Sequence, residues 1–234
     1  MIDRLPERME HIISMVSKGE SICDVGCDHG YISIALVKRN IAVKALAMDI
    51  NKGPLNAASY NIKKDGLDDK IITRLSDGLD NYKIGEATTL IIAGMGGPLM
   101  CDILSKHPDY THDFKELILS PQSKIPEFRK FLYDNGYKIV DEDMVFEDGK
   151  YYVIIKAVFD KNTDVINERE YRLGPVLLKK KHDVLKEYII GSLNKNKKIL
   201  NDLKCIKTDN NADRINQLTY EIDILNEGLN IVNN

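Results

Sequence analysis

The sequence predicts an α/β protein in which a doubly wound, mostly parallel sheet precedes an antiparallel coiled-coil hairpin of two helices. Short apolar runs alternate with helical patterns over residues 21–135, which is typical of such a sheet. Two longer strand patterns then flank the turn sequence Asp148-Gly149, as in an antiparallel hairpin at a sheet edge. Beyond Asp160 the strand patterns give way to two apolar stripes with helical spacing.

The elements of the predicted sheet follow one another in regular order. A short amphipathic helix comes first, because apolar residues recur at helical spacing from Leu5 to Val16. Five apolar runs that end in acidic residues, glycine or proline predict the parallel strands: 21–27, 43–50, 70–77, 88–95 and 115–121. Helical patterns predict four helices between and after them: 30–39, 53–66, 97–107 and 124–135.

The predicted C-terminal hairpin rests on two apolar stripes. They run from Leu185 to Leu203 and from Ile215 to Val232, and the second alternates spacings of three and four residues, as in a coiled coil. Thr208 to Asn211 has the composition of a turn and lies between the stripes. We therefore predict two domains, residues 1–160 and 161–234.

Composition favours a globular protein that acts in the cytoplasm. Hydrophobic residues make up 43% of the 234 residues and charged residues 29%, with no run long enough to span a membrane and no signal pattern at the N-terminus. The four cysteines form no C-x-x-C pair, so we expect neither disulfides nor structural zinc. His29 lacks further ligands at usable spacing, so we expect no metal partner.

The turn after the first predicted strand resembles a nucleotide-binding turn in which an acid replaces a glycine. It reads Asp24-Val-Gly26-Cys-Asp28-His-Gly30. A dinucleotide needs bare backbone N–H groups here for its pyrophosphate, and the carboxylate of Asp28 would repel the phosphates. A ligand that carries positive charge and no phosphate would instead be attracted. S-adenosylmethionine, with its sulfonium and ammonium groups, meets this requirement better than NAD.

Two further carboxylates follow the next strands. Asp49 ends the second strand, where an acid accepts hydrogen bonds from ribose hydroxyls in α/β nucleotide folds. Asp77 follows the third strand, within reach of an adenine amino group. The carboxyl ends of neighbouring parallel strands meet in one crevice, so these acids suit the adenosine part of S-adenosylmethionine. A helix-capping role for Asp49 is the alternative interpretation.

The fourth strand leads into a glycine-rich loop, Ala93-Gly94-Met95-Gly96-Gly97, on the side of the crevice where the methyl acceptor would lie. The Asn/Asp-Pro-Pro-aromatic motif that binds exocyclic amines is absent from it. Glycines leave room and exposed backbone for a flat base. A ring nitrogen is a suitable acceptor, because its lone pair is available before any proton is removed, and alignment supplies most of the acceleration. A plain turn before a helix is the alternative.

Five short motifs together resemble the bacterial TrmK family of tRNA (adenine-N1)-methyltransferases, which act on position 22. The motifs are Asp-Val-Gly-Cys-Asp-His-Gly-Tyr at 24–31, Ser-Asp-Gly-Leu at 76–79, Ile-Ala-Gly-Met-Gly-Gly at 92–97, Ser-Pro-Gln at 120–122 and Glu-Asp-Gly-Lys-Tyr-Tyr at 147–152. Leu-Gly-Pro-Val-Leu-Leu at 173–178 resembles the family's entry into its coiled-coil domain. The resemblance implies a class I, Rossmann-like methyltransferase fold with S-adenosylmethionine as methyl donor and N1-methyladenosine in tRNA as product.

The resemblance and the strand-end pattern together give the predicted site. By the resemblance, Asp28 is the essential carboxylate near the reaction centre. Twelve residues are predicted to contact the cofactor: Asp24, Gly26, Asp28, His29, Gly30, Asp49, Ile50, Asp77, Gly78, Ala93, Gly94 and Met95. Seven are predicted to contact the substrate: Arg8, Gly96, Gly97, Gln122, Lys179, Lys180 and Lys181.

The charge distribution points to tRNA as the partner. The formal net charge is −3, yet 11 Lys and Arg residues stand against 4 Asp and Glu residues between Arg169 and Lys207. Such a basic segment in an acidic protein favours contact with a phosphate backbone over a merely solvated helix. Two alternatives remain at this point: a small-molecule methyltransferase with a dimerising coiled-coil arm, and a noncatalytic S-adenosylmethionine-binding RNA module. We expect a monomer or a weak dimer.

Overall fold

A computed structural model describes residues 5–161, 165–205 and 211–234 of the chain. The chain divides into two compact units, Met1–Val165 and Ile166–Asn234. No helix within the described ranges combines the length and the apolar character needed to cross a bilayer.

The first unit alternates strands and helices and then ends in a strand hairpin. Its elements are α1 Glu7–Met15, β1 Glu20–Val25, α2 Tyr31–Lys38, β2 Ala42–Asp49, α3 Lys52–Lys64, β3 Ile71–Leu75, β4 Thr89–Ala93, α4 Gly97–Lys106, α5 Pro108–Thr111, β5 Glu116–Ser120, α6 Ile125–Asp134, β6 Tyr137–Glu147 and β7 Lys150–Phe159. Every strand and helix predicted for this part of the chain is present. Among the described residues of this unit, the four-residue helix α5 is the one element that sequence patterns did not indicate.

The seven strands form one sheet in the order β3-β2-β1-β4-β5-β7-β6. Strands β1 to β5 pair in parallel, whereas β7 runs antiparallel to both β5 and β6. The strand order reverses between β1 and β4, and this switch point opens a crevice at the carboxyl ends of the strands. The predicted doubly wound sheet and its antiparallel edge hairpin are confirmed.

Burial explains why the central strands read as continuous apolar runs. Leu90, Ile91 and Ile92 of β4 are fully buried, as are Leu117 to Leu119 of β5. Helices cover both faces of a doubly wound sheet, so a central strand has no solvent-facing side. The edge strand β6 instead alternates buried and more exposed residues over much of its length. The core thus lies under the switch point.

The second unit is helical: α7 Glu168–Leu173, α8 Pro175–Lys180, α9 Asp183–Cys205 and α10 Ala212–Asn233. Asn196 of α9 donates to Glu221 of α10, and Gly228 of α10 lies near Ile189 of α9, so the two long helices run antiparallel. Buried residues of the predicted stripes form the seam: Leu185, Ile189, Leu193, Leu218, Ile222, Leu225 and Val232. The predicted helical hairpin is confirmed, although residues 208–210 of its expected turn lie outside the described residues.

Candidate functional site

A cavity of about 450 Å³ opens at the carboxyl ends of the parallel strands. This size suits a small-molecule ligand. Eleven of the twelve residues predicted to contact the cofactor line the cavity, the exception being Gly30. Of the residues predicted to contact substrate, Arg8 and Gln122 line it as well. The strand order therefore brings together side chains that are more than 100 positions apart in the sequence.

Asp24 is the buried acid of the site. It is only 3% exposed, and the Oγ of Ser33 on α2 donates a 2.7 Å hydrogen bond to its Oδ2. Burial raises the pKa of Asp24 to about 6, a rise that the hydrogen bonds from Ser33 limit and the nearby carboxylate of Asp49 increases. Because burial disfavours the ionised carboxylate of Asp24, a positively charged ligand beside it would stabilise that form.

The glycine at the first turn is required by its backbone and its neighbour. Gly26 has a φ of +75°, in the left-handed region that favours glycine. A Cβ atom at this position would collide with the Cε methyl group of Met95 from the β4 loop. The N–H groups of Gly26 and Cys27 donate to the carbonyl of Met48, which ties the turn to β2. The turn is therefore held close to the glycine-rich loop across the crevice.

Asp28 is the acid that stands in place of a glycine in the turn after β1. Its φ is +50°, a left-handed conformation that Asp tolerates better than most residues. Its side chain is 67% exposed, and the Nε2 of His29 lies 3.5 Å from its Oδ1. The His29 ring stacks on Tyr31 with 5.5 Å between ring centroids. Because Asp28 lines the cavity and is open to solvent, a ligand can reach its carboxylate.

Asp49 organises the turns on both sides of it. Its Oδ2 accepts a 3.2 Å hydrogen bond from the N–H of Asp28, and its Oδ1 accepts a 2.8 Å bond from the N–H of Asn51. Each carboxylate oxygen has a second lone pair for a hydroxyl group. The N-cap of α3 is Asn51, so Asp49 holds the backbone ahead of the helix and does not cap it. This contact is compatible with the ribose-binding interpretation of Asp49.

The segment that follows β3 forms the end of the cavity on the side of that strand. Asp77 and Gly78 line it together with Ile103 of α4, and the side chain of Asp77 is 63% exposed. The Nζ of Lys106 lies 3.9 Å from Asp77 but only 2.7 Å from Asp80. Lys106 is thus engaged mainly by Asp80, which leaves Asp77 available to a ligand.

The glycine-rich loop after β4 is joined to the loop after β5 by backbone hydrogen bonds. Gln122 donates to the carbonyl of Met95 at 2.8 Å, and Gly97 donates to the carbonyl of Ser123 at 3.0 Å. A Cβ atom on Gly97 would lie 2.6 Å from that same carbonyl oxygen. In this part of the loop, glycine permits the close approach of two backbones.

Three of the predicted glycines do not line the cavity. Gly30 packs beside Ala58 of α3, and Gly96 and Gly97 pack against the loop after β5, so none of these glycines lines the cavity. Their small size is used for packing in this structure. Lys179 and its two neighbours Lys180 and Lys181 belong to the helical unit, where all three are exposed.

Tyr152 is one of the cavity residues that the sequence analysis did not assign to the site. It lines the cavity from β7, together with Ser120 at the end of β5 and Arg8 of α1. The guanidinium of Arg8 lies over the Tyr152 ring, 5.3 Å from its centroid. The two-residue alternation of a strand places Tyr152 and its neighbour Tyr151 on opposite faces, but only the packing of α1 identifies which face meets the cavity.

The residues of the cavity fit S-adenosylmethionine. Four carboxylates, those of Asp24, Asp28, Asp49 and Asp77, line one continuous space that suits a cationic ligand with ribose and adenine groups. The same set disfavours a pyrophosphate. Among the residues that the structure describes, no cluster of three or more His, Cys, Asp or Glu side chains could hold a metal ion.

Comparisons with known proteins show the family to which the chain belongs. Residues 5–155 match a family described as a methyltransferase domain. The chain is 31% identical over 229 residues, 96% of each chain, to the tRNA (adenine(22)-N(1))-methyltransferase of Bacillus subtilis. A Streptococcus pneumoniae structure in complex with S-adenosyl-L-methionine has a TM-score of 0.82 and 30% identity, covering 97% of this chain and 100% of that one. M. capricolum TrmK in complex with S-adenosyl-homocysteine has a TM-score of 0.83 and 26% identity, covering 97% and 99%. This chain belongs to the tRNA (adenine(22)-N(1))-methyltransferase family.

Proposed function

We propose that this protein transfers a methyl group from S-adenosylmethionine to N1 of the adenosine at position 22 of tRNA. One observation carries the proposal: a single cavity joins four carboxylates at the ends of β1, β2 and β3 to a glycine loop and an aromatic ring at the ends of β4 and β7. The family membership supplies the substrate. When bound, S-adenosylmethionine supplies an electrophilic methyl group attached to a positively charged sulfur.

We assign the cofactor half of the cavity to the first three strands. Asp49 accepts hydrogen bonds from the ribose hydroxyls, and Asp77 accepts one from the adenine amino group. Asp24 and Asp28 face the positively charged methionine part. Gly26 lets the backbone of the first turn approach the ligand closely. The buried Asp24, whose pKa is raised to about 6, gains most from this charge pairing.

We assign the acceptor half to the ends of β4, β5 and β7. The loop at Gly94 and Met95 and the side chain of Gln122 border the space between cofactor and base. The N1 lone pair of adenine is available without deprotonation, so the protein has to align the base and stabilise positive charge on it. Asp28, exposed at the cavity, is suited to offset that charge.

We assign tRNA binding chiefly to the helical domain, residues 161–234. Lys179, Lys180 and Lys181 are exposed where α8 ends, and further exposed lysines follow along α9. Each lysine that contacts a phosphate adds salt dependence to binding. The apolar stripes of α9 and α10 bury one another within a single chain, which supports a monomer or a weak dimer. Because tRNA is used in the cytoplasm, we expect the enzyme to act there.

The proposal is tested by labelled methyl transfer to two unmodified tRNA transcripts that differ only at position 22. Incorporation into the transcript with adenosine, and none into the transcript with guanosine, is the expected result. Equal incorporation into both would show that another nucleotide is the acceptor. Incorporation into neither, with S-adenosylmethionine still bound, would overturn the proposed activity.

The role of Asp28 is tested by Asp28→Ala and Asp28→Asn. Both variants remove the charge, and Asn tolerates the left-handed backbone that Asp28 adopts. We expect both to lose methyl transfer to tRNA by at least about tenfold, in line with the removal of one electrostatic contact to a transition state. Full turnover by both variants would exclude the role.

A further inference from the structure

We propose that Tyr152 positions the target adenine by stacking its ring on the base, and that Arg8, anchored by Glu147, holds the Tyr152 ring in place. This proposal rests on the proposed function and adds to it the residue that receives the base.

Tyr152 lies at the acceptor end of the cavity because of the strand order. Strand β7 follows β5 in the sheet, and the Oγ of Ser120 at the end of β5 donates a 3.0 Å hydrogen bond to the carbonyl of Val153. Tyr152 is the next residue toward the carboxyl ends of the parallel strands. Asp77, at the end of β3, lies across the sheet from it. A base that approaches the methyl group from the β4–β5 side therefore meets the ring of Tyr152.

The face of β7 that carries Tyr152 is distinct from the face of its neighbour. Tyr152 pairs across the hairpin with Val145, which is buried in the core cluster that includes α1 residues. Tyr151 pairs with Phe146, and their rings contact each other with centroids 4.6 Å apart. Adjacent strand residues point to opposite faces, so only Tyr152 is directed to the cavity.

Arg8, which lies over the Tyr152 ring, is itself held by polar contacts between α1 and β6. Arg8 lies over the ring, and its Nη1 donates a 2.7 Å hydrogen bond to Oε2 of Glu147 on β6. The other oxygen of Glu147 accepts the backbone N–H of Glu7 at the start of α1. One turn further along α1, the Nδ1 of His11 lies 2.7 Å from Oδ2 of Asp143 on the same strand. Helix α1 is thus fastened to β6 at two points, and Arg8 has little freedom to leave the ring.

During methyl transfer, stacking on Tyr152 would stabilise the positive charge that develops on the adenine. The N1 lone pair of adenine forms the new N–C bond, the C–S bond breaks, and its electron pair stays on sulfur. Positive charge therefore moves from sulfur to the adenine ring, and no proton has to leave in this step. A cationic ring stacked on Tyr152 is stabilised more than a neutral one. The carboxylate of Glu147 balances the charge of Arg8, so the pair adds little repulsion.

Three substitutions of Tyr152 separate stacking from packing. Tyr152→Ala removes the ring, Tyr152→Leu keeps most of the bulk without a π face, and Tyr152→Phe keeps the ring without the hydroxyl. For kcat/KM toward the adenosine-22 transcript, we expect Ala and Leu to lose about 5- to 150-fold, the range for one base stacked on an aromatic side chain. We expect Phe to stay within about threefold of wild type, because the ring is the group that stacks.

The matched control is Tyr151→Ala, which removes the same side chain from the other face of the same strand and should leave kcat/KM unchanged. The Kd for S-adenosylmethionine, measured by calorimetry, should stay at the wild-type value in every Tyr152 variant. Wild-type activity in Tyr152→Ala or Tyr152→Leu, or equal losses in the Phe and Ala variants, would overturn the proposal. A parallel loss of cofactor affinity and activity would overturn it too, since it would indicate a structural role.

The role of Arg8 as a positioning residue is tested by a double-mutant cycle. Arg8→Met should lower kcat/KM for tRNA without changing the cofactor Kd. Adding Arg8→Met to Tyr152→Ala should cost little more, because Arg8 acts through the ring that is already absent. Additive losses would contradict the positioning role. Wild-type protein that methylates the transcript shows in the same assay that any failure concerns Tyr152 and Arg8 and not the proposed function.

Discussion

Replacing Asp24 by Asn is expected to stabilise the protein without cofactor while weakening cofactor binding. Asp24 is 3% exposed, and burial raises its pKa from an ordinary 3.8 to about 6. The unfolded chain therefore loses this proton at lower pH than the folded protein does. The contribution of Asp24 to stability is most favourable below pH 3.8, declines as pH rises to about 6, and stays unfavourable above it.

The raised pKa sets the size of the effect. A difference of about two pH units corresponds to about 3 kcal/mol of unfavourable free energy in the folded state at neutral pH, as an order of magnitude. Asn removes the charge but keeps only one acceptor for the hydrogen bonds from Ser33, which forfeits about 1 kcal/mol. We expect Asp24→Asn to raise the free energy of unfolding by about 1–2 kcal/mol at pH 7.5. The gain should be about 1 kcal/mol smaller at pH 5.

Urea unfolding of the cofactor-free protein at the two pH values measures the stability change, and calorimetry with S-adenosylmethionine measures binding. Asp28→Asn is the matched control, because its carboxylate is 67% exposed and its loss should change stability by less than about 0.5 kcal/mol. Wild-type cofactor affinity should fall as pH drops below about 6, where Asp24 takes up a proton. A destabilised Asp24→Asn protein, or a gain that does not depend on pH, would refute the reasoning.

Three other substitutions test the site and the two units. Gly26→Ala should weaken S-adenosylmethionine binding by at least about tenfold in calorimetry, because it forces a side chain into a left-handed backbone and against Met95; unchanged affinity would contradict this. Glu142→Gln should lower the free energy of unfolding by about 3–5 kcal/mol in urea, since it removes the charge of a buried carboxylate whose oxygen lies 2.8 Å from Nε of the 1% exposed Arg129; a loss below about 1 kcal/mol would speak against a strong contribution of this buried ion pair. Gly228→Ala should lower the melting temperature by several degrees, because its Cβ would collide with a leucine of α7; an unchanged melting temperature would show that the leucine can move aside.

Sequence patterns predicted the sheet well because its central strands are buried on both faces. Strands such as β4, with Leu90 to Ile92 fully buried, produce an unbroken apolar run that stands out from the flanking helices. Helices α5, α7 and α8 are only four to six residues long, too short to show a helical period. Asn167 and Glu170 form a capping box at the start of α7, a sequence signal from which the beginning of this helix could have been predicted.

The carboxylates that line the cavity could be located from sequence, whereas the contribution of β7 could not. Asp24, Asp49 and Asp77 each follow a parallel strand, and parallel strands bring their carboxyl ends to one edge. Tyr152 reaches the same edge from an antiparallel strand, and its role depends on the contact with Arg8, 144 positions away in the sequence. The glycines at 96 and 97 suggested open space for a base, but the loop after β5 fills that space.

The measurement that tests the central claim most directly is mass-spectrometric mapping of the methyl group on tRNA modified by the wild-type protein. Digestion into oligonucleotides locates the modified position, and nucleoside chromatography separates N1-methyladenosine from N6-methyladenosine. The glycine loop in place of an exocyclic-amine motif predicts N1-methyladenosine, and the family membership predicts position 22 with unmodified nucleotides elsewhere. A methyl group on N6, or on a nucleotide other than 22, would contradict the assignment of this cavity to a ring nitrogen of that adenosine.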